Sequence, residues 1–201
     1  MLFFCIVFVL INGCGKEESI KQREGEENMT NIILVVAQDG FQEKELADTK
    51  DALQKEGFKC DIAAKNMSWA VGKTGTRIMP DLTIGDAIDS LTMYAGVAFI
   101  GGPGAVAYFN DSEALELARK SYESGKVTAA VCIGPMILAH AGILKGKKAT
   151  VWDGDGKQSA YFKKNGIDYT GQPVTADGNI VTGNGPEAAK AFGEEIAKLL
   201  E

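Results

Sequence analysis

The sequence predicts an α/β fold of three layers, a mostly parallel central sheet covered by helices on both faces, with a small β-hairpin insertion. Two observations carry this. Short apolar runs without polar alternation recur at Ile32–Val36, Gly96–Ile100 and Val127–Val131, as strands buried on both faces require. Helical segments closed by glycine separate several of these runs, and strands joined by helices imply right-handed βαβ crossovers. The composition agrees: among 201 residues there are 24 Gly and only 5 Pro, which fits many tight turns better than disorder.

The elements follow in order. Ile32-Ile33-Leu34-Val35-Val36 is the first strand. A helix is expected from about Glu43 to Glu56, with Gly57 as its C-terminal cap, where a left-handed residue ends a helix at least cost. Phe58 to Ala63 is a second strand, and Ser68 to Ile84 carries Gly, Thr and short apolar alternation, the pattern of an antiparallel hairpin. The strand Gly96–Ile100 runs into Gly101-Gly102-Pro103-Gly104. Asn110-Asp111-Ser112 then offers capping residues for a helix through Ser124, closed by Gly125. After Val127–Val131, Cys132-Ile133-Gly134-Pro135 breaks the strand, and a helix runs on to about Leu144 with Pro135 in its first turn. Ala149–Trp152 and Asn179–Thr182 are later strands. A last helix repeats apolar residues at Ala189, Phe192, Ile196 and Leu199, one face of a 3.6-residue period. No internal repeat is present, so residues 31–201 form one domain.

Residues 1–14 have a different character. Met1–Leu10 is an unbroken apolar run, too short to span a bilayer and the length of a signal-peptide core. Ile11-Asn12-Gly13-Cys14 resembles a bacterial lipobox, which makes Cys14 the expected lipidation site, and the polar stretch 15–30 a solvated tether. The expected location is therefore outside the cytoplasm, held to a bacterial membrane only through lipid on Cys14. The run lacks the basic residue that usually precedes a signal core, and Met29 stands just before the first strand. A cytoplasmic form starting at Met29 is the alternative.

Charge and cysteine usage exclude other classes. The formal net charge is −6, which leaves no basic footprint for nucleic acid. The four cysteines, Cys5, Cys14, Cys60 and Cys132, are irregularly spaced without a CxxC pair, and His140 is the single histidine. A disulfide framework, a metal site or a Ser-His-Asp triad has no material to be built from, and no metal or cofactor is expected.

Four places could carry chemistry. Cys132 ends an apolar strand and precedes a helix start, a sharp turn that would project the sulfur outward as in a nucleophile elbow. The N–H groups of the helix start would favour a thiolate; alternatively Cys132 is a small core hydrophobe. Glu45, after the first strand, lies at the same sheet edge, or is an ordinary first-turn acid complementing the helix dipole. The backbone of Gly101 and Gly102 could approach an oxyanion, or simply form a turn. His140 sits among apolar residues, as a satisfied structural histidine does.

Together and in this order, these pieces resemble the ThiJ/PfpI superfamily, which has a flavodoxin-like, class I glutamine amidotransferase-like fold. The resemblance rests on Ala129-Ala130-Val131-Cys132-Ile133-Gly134-Pro135 with its continuation to Gly146, on the Gly101-Gly102 turn and on Glu45, and extends from about Asn31 to the C-terminus. It implies that Cys132 is the nucleophile and that a protonated Glu45 donates a hydrogen bond to its sulfur, favouring thiolate, and caps a sulfinate formed on oxidation. It also implies an oxyanion site from the N–H groups of Gly102 and Ile133, and assembly as a homodimer. Departures are as informative. Protease-like members have histidine directly after the cysteine, where this chain has Ile133. Val106 stands where that branch takes a glutamate from a partner subunit. Glyoxalase and deglycase members often carry a histidine in the next strand, where this chain has Trp152. Acid–base work thus falls to Glu45 or water. The expected activity is glyoxalase- or deglycase-type chemistry on small reactive carbonyls. The alternatives are a stress-protective redox sensor oxidised at Cys132, and a peptidase, which the missing histidine weakens.

Overall fold

The computed structural model of the protein describes residues 31–201. The expected signal segment 1–14, the lipidation site Cys14, the tether 15–30 and Met29 lie outside the described residues.

A seven-stranded sheet forms the centre. Its strands are β1 (Asn31–Val35), β3 (Lys59–Ala64), β6 (Leu82–Thr83), β7 (Gly96–Phe99), β8 (Val127–Val131), β11 (Val174–Asp177) and β12 (Ile180–Gly183), in the order β11-β12-β8-β7-β1-β3-β6. Every pairing is parallel except β11 with β12. All of β7 and β8, and β1 beyond its first residue, are buried, which explains their unbroken apolar sequences. The helices are α1 (Glu43–Lys55), α2 (Ile84–Asp89), α3 (Ser112–Glu123), α4 (Pro135–His140), α5 (Lys157–Lys164) and α6 (Ala189–Leu200). Helix α1 packs on α6, while α3 packs on both α2 and α4. This is the expected flavodoxin-like three-layer sandwich.

Two small sheets stand apart. β2 (Asp39–Phe41) pairs with β4 (Ala70–Gly72), which pairs with β5 (Arg77–Ile78); β9 (Lys148–Ala149) pairs with β10 (Asp168–Tyr169). The antiparallel β4–β5 pair is the expected hairpin, but it ends earlier than Ile84. Leu82 and Thr83 instead extend the main sheet in parallel beside Ala63 and Ala64. Thr83 then caps α2, its hydroxyl accepting from the Asp86 N–H while the Asp86 carboxylate accepts from the Thr83 N–H, a capping box written in the sequence. The expected strand at Ala149–Trp152 shortens to β9, because the N–H of Thr150 bonds the Thr182 hydroxyl and that of Trp152 bonds the Cys132 carbonyl. Helix α4 stops at His140, not Leu144, with Gly142 left-handed at φ 85°.

The sheet positions the site through one feature. β1 has β3 on one side and β7 on the other, so strand order reverses at β1/β7, where open α/β sheets bind ligands beyond the carboxyl ends. Val35 pairs with Phe99 and Phe99 with Ala130, so the chain leaves β1, β7 and β8 at one level. These three exits carry Glu45, Gly101-Gly102 and Cys132.

Candidate active site

Cys132 has φ 61°, the sole non-glycine with positive φ among the described residues. Left-handed backbone costs an L-residue about 1–2 kcal/mol, and it persists only where the surroundings impose it. Here the Cys132 N–H donates to the Gly183 carbonyl at 2.9 Å, and its carbonyl accepts from the Trp152 N–H at 2.8 Å. The thiol is half-buried. The N–H groups of Gly102 and Ile133 both act on the sulfur and favour its charged form, which is the expected oxyanion pair.

Glu45, in the first turn of α1, is fully buried. Its Oε2 accepts from the Gly101 N–H at 3.0 Å. The carboxyl also interacts with the Cys132 thiol, although Oε1 has no well-aligned hydrogen-bond partner. Burial raises its pKa from an ordinary 4.5 to about 7, against the hydrogen bonds of Cys132 and Gly101 and the charge of Lys73. Burial, then the charge and hydrogen bond of Glu45, push the Cys132 thiol up to about 12, against the pull of the two amides. Burial and the neighbouring carboxyl thus oppose the two amides and the helix start at the sulfur.

Gly101 serves this pair differently from expectation. Its N–H is bonded to Glu45, so it holds the acid and does not line the cleft. A Cβ on Gly101 would lie 2.5 Å from Cys132 Cβ, 2.7 Å from Glu45 Oε2 and 2.8 Å from the Val131 carbonyl oxygen. No side chain fits there. Gly102, at φ 108°, is equally required, since a Cβ would lie 2.5 Å from the Gln42 N and the Gly40 O.

The sulfur opens into a cleft of about 450 Å³ lined by Cys132, Gly102, Ile133 and Trp152, as expected. Val106, Pro103 and Pro186 add apolar wall; Gln42, Lys73 and Gln158 add polar groups. The last three were not singled out in the sequence. Lys73 sits in the β4–β5 turn, and only the docking of that hairpin brings it here: the N–H of Lys73 donates to the Phe41 carbonyl at 2.9 Å, and the N–H and hydroxyl of Thr74 both donate to Glu43 Oε1 at 2.7 Å. His140 is outside the cleft, stacked on Tyr161 at 5.2 Å and tilted against Phe109 at 5.3 Å between ring centroids. Among the described residues no cluster of His, Cys, Asp and Glu could hold a metal, and no helix is long and apolar enough to cross a membrane.

Comparison with known proteins identifies the family and the fold. Residues 31–199 match the family model of the DJ-1/PfpI family. An uncharacterised protein of Methanocaldococcus jannaschii is 35% identical over 181 residues, covering 89% of this chain and 87% of its own. A Pyrococcus furiosus protein named Deglycase PfpI is 33% identical over 175 residues, covering 84% and 99%. Among solved structures, a ThiJ/PfpI domain protein from Brachyspira murdochii superposes with a TM-score of 0.80 at 26% identity, covering 85% of this chain and 96% of that one. Drosophila melanogaster DJ-1beta does so with 0.77 at 26%, covering 85% and 90%.

Proposed function

The chain belongs to the DJ-1/PfpI family, and from that premise we propose that it converts small 2-oxoaldehydes to 2-hydroxy acids through Cys132, with Glu45 as its acid–base group. One observation carries this reading: a buried carboxyl with a pKa near 7 beside a thiol whose sulfur also meets two backbone N–H groups. A general base works best when its pKa lies near the operating pH, so Glu45 does the task that a histidine does elsewhere.

The reaction balances without a cofactor. Glu45 takes the thiol proton as Cys132 Sγ bonds the aldehyde carbon, and the oxyanion is held by the Gly102 and Ile133 N–H groups, then protonated to a hemithioacetal. Glu45 next removes the proton from the former aldehyde carbon, and the resulting enediol is reprotonated on the neighbouring carbon. The product is a thioester of the 2-hydroxy acid. Water cleaves it, returning the thiol. The aldehyde carbon is oxidised and the ketone carbon reduced, with one water consumed. Hemithioacetals or hemiaminals of the same aldehydes, the substrates of a deglycase, would enter by the same attack. The test is lactate formation from methylglyoxal by the wild type and by Cys132→Ala. Lactate in both, or in neither, refutes the proposal.

A second reading uses the same anion cradle: oxidation of Cys132 to a sulfinate, capped by protonated Glu45 and the two amides. Cys60 is an internal reference, because it is the other free thiol among the described residues, is buried and has no backbone N–H acting on its sulfur. Graded peroxide followed by peptide mass spectrometry should add two oxygens at Cys132 first; equal oxidation of both thiols removes this reading. We also propose that the chain is exported and lipidated at Cys14, and that it acts as a homodimer.

A further inference from the structure

The cleft is larger and more polar at its rim than a three-carbon oxoaldehyde needs. At about 450 Å³ it falls within the range of pockets that take ligands many times that size, roughly 300–1,000 Å³. Lys73 and Gln158, two of the three polar side chains on its lining, have no task in the chemistry above.

The first is Lys73. Lys44, Lys55, Lys65, Lys120, Lys147, Lys157, Lys190 and Lys198 form ion pairs, whereas the exposed Lys73 faces the cleft instead. Among the described residues no carboxylate makes such a pair with Lys73, yet its charge reaches the buried Glu45 carboxyl. Its place is imposed by the chain around it. The Phe41 carbonyl and the Glu43 carboxylate fix the backbone on both sides of the turn, and a Cβ on Gly72 would overlap the Glu43 side chain. A lysine so held over an apolar-walled cleft is a counter-charge without its anion.

The second is Gln158. Asp153 Oδ1 accepts from the N–H groups of Gln158 and Ser159 at 3.1 and 3.0 Å, which fixes the start of α5 and turns Gln158 to the cleft. Its Oε1 is buried and has no hydrogen-bond partner. A buried polar atom left unpaired costs free energy, and a side-chain rotation that brings Oε1 to a donor in the cleft relieves it.

We propose that Lys73 is a specificity-determining residue that binds a carboxylate or phosphate carried by the carbonyl substrate, while Gln158 accepts a hydrogen bond from an N–H or O–H of the same molecule. The preferred substrate is thus an anionic carbonyl compound with a hydrogen-bond donor, held between Lys73 and Gln158 with its carbonyl at Cys132 and its apolar part against Trp152 and Val106. This rests on Cys132 as the nucleophile, but it can be tested without turnover.

The experiment compares alkylation of Cys132 by iodoacetate and iodoacetamide in the full chain, each rate divided by that of a free thiol. The anionic reagent should gain about fivefold in the wild type, the size of one solvent-screened ion contact. The gain should persist in Lys73→Arg and vanish in Lys73→Met, and fall with added salt. An unchanged ratio in Lys73→Met overturns the proposal. Protection of Cys132 from iodoacetamide by lactate or by inorganic phosphate then identifies the source of the anion; protection by neither also overturns it. Gln158→Leu should weaken protection by lactate but not by acetate, which lacks the hydroxyl; equal weakening removes Gln158 from the site. A Cys132 inert to both reagents would refute the nucleophile instead. Calorimetric titration of lactate and phosphate into Cys132→Ala, with and without Lys73→Met, then decides the role of Lys73 separately.

Discussion

Glu45→Gln separates the two duties assigned to Glu45, because the amide copies the neutral acid but cannot take a proton. The carboxyl pKa rises from 4.5 to about 7 on folding, so the folded state binds more protons between those values. Its favourable share of stability is complete below pH 4.5 and is lost as pH rises through 7. A rise of this size corresponds to about 3 kcal/mol. Urea unfolding of the wild type should therefore weaken by up to that amount from pH 4.5 to 8, and Glu45→Gln should not share the loss. The variant should match the wild type in acid and exceed it at pH 8. Its amide oxygen can still accept from Gly101 N–H, and its NH₂ can donate toward the sulfur. The Glu45 charge that holds the Cys132 thiol up is gone, so iodoacetamide should react faster with the variant at pH 8. Lactate formation should nonetheless fall by about 10²–10⁴, the contribution of a positioned acid–base group. Faster alkylation with slower turnover is the diagnostic pair. A wild-type minus variant stability difference that stays flat with pH would refute the burial argument, and full turnover in Glu45→Gln would refute the base.

Other substitutions test the frame around the pair. Gly101→Ala should cost about 1–3 kcal/mol of stability, as overpacking does, and lose activity beyond that, because its Cβ meets both Cys132 and Glu45; a denaturation curve and an assay like the wild type's would refute this. Cys132→Gly should be more stable than Cys132→Ala by about 1 kcal/mol, since only the former relieves the left-handed backbone. Equal melting temperatures would show that φ 61° stores no strain. Stability should also decline above pH 9, where the unfolded thiols ionise but Cys132 and Cys60, held up to about 12 and about 11, do not. Cys132→Ala should lessen the decline in alkaline unfolding curves. Cells fed a clickable fatty acid should label the full chain and not Cys14→Ser; no label, or a mature chain beginning at Met29, would refute lipidation.

The strands were legible because burial on both faces leaves a local mark. β1, β7 and β8 are apolar at nearly every position; Cys132 follows β8 directly, Gly102 lies just past β7, and Glu45 comes after β1 and the short strand β2. The edges were less legible. Leu82–Thr83 is a pair of residues whose membership in the main sheet depends on a neighbour, β3, and not on its own pattern. The β11–β12 hairpin did carry a signal, Asp177-Gly178 before Asn179 and Ile180, with Asp177 paired to Ile180, as tight hairpin turns favour. Lys73 had none. A lysine in a Gly-Lys-Thr-Gly turn is ordinary, and its place over the cleft comes from Glu43 and Phe41, distant in sequence. The balance of forces on the Cys132 sulfur was illegible for a related reason. A helix start is visible in the chain, whereas the depth of Glu45 and the desolvation of the sulfur arise only when three strand ends meet.

The missing histidine becomes intelligible on these terms. A histidine base brings a pKa near neutrality by its nature; a carboxylate must be moved there by its surroundings. Burial of Glu45 moves it, and the Gly101 N–H keeps the buried group from being wholly unsatisfied. The cost is a carboxylate that destabilises the fold once charged, and the compact α1–α6 packing beneath it bears that cost. In exchange, the next sheet edge is open to Trp152, which forms cleft wall. On the proposed mechanism, acid–base chemistry would sit inside the sheet edge and recognition at the rim, so changes at Lys73, Gln158 and Trp152 would alter the substrate without displacing Glu45 from Cys132.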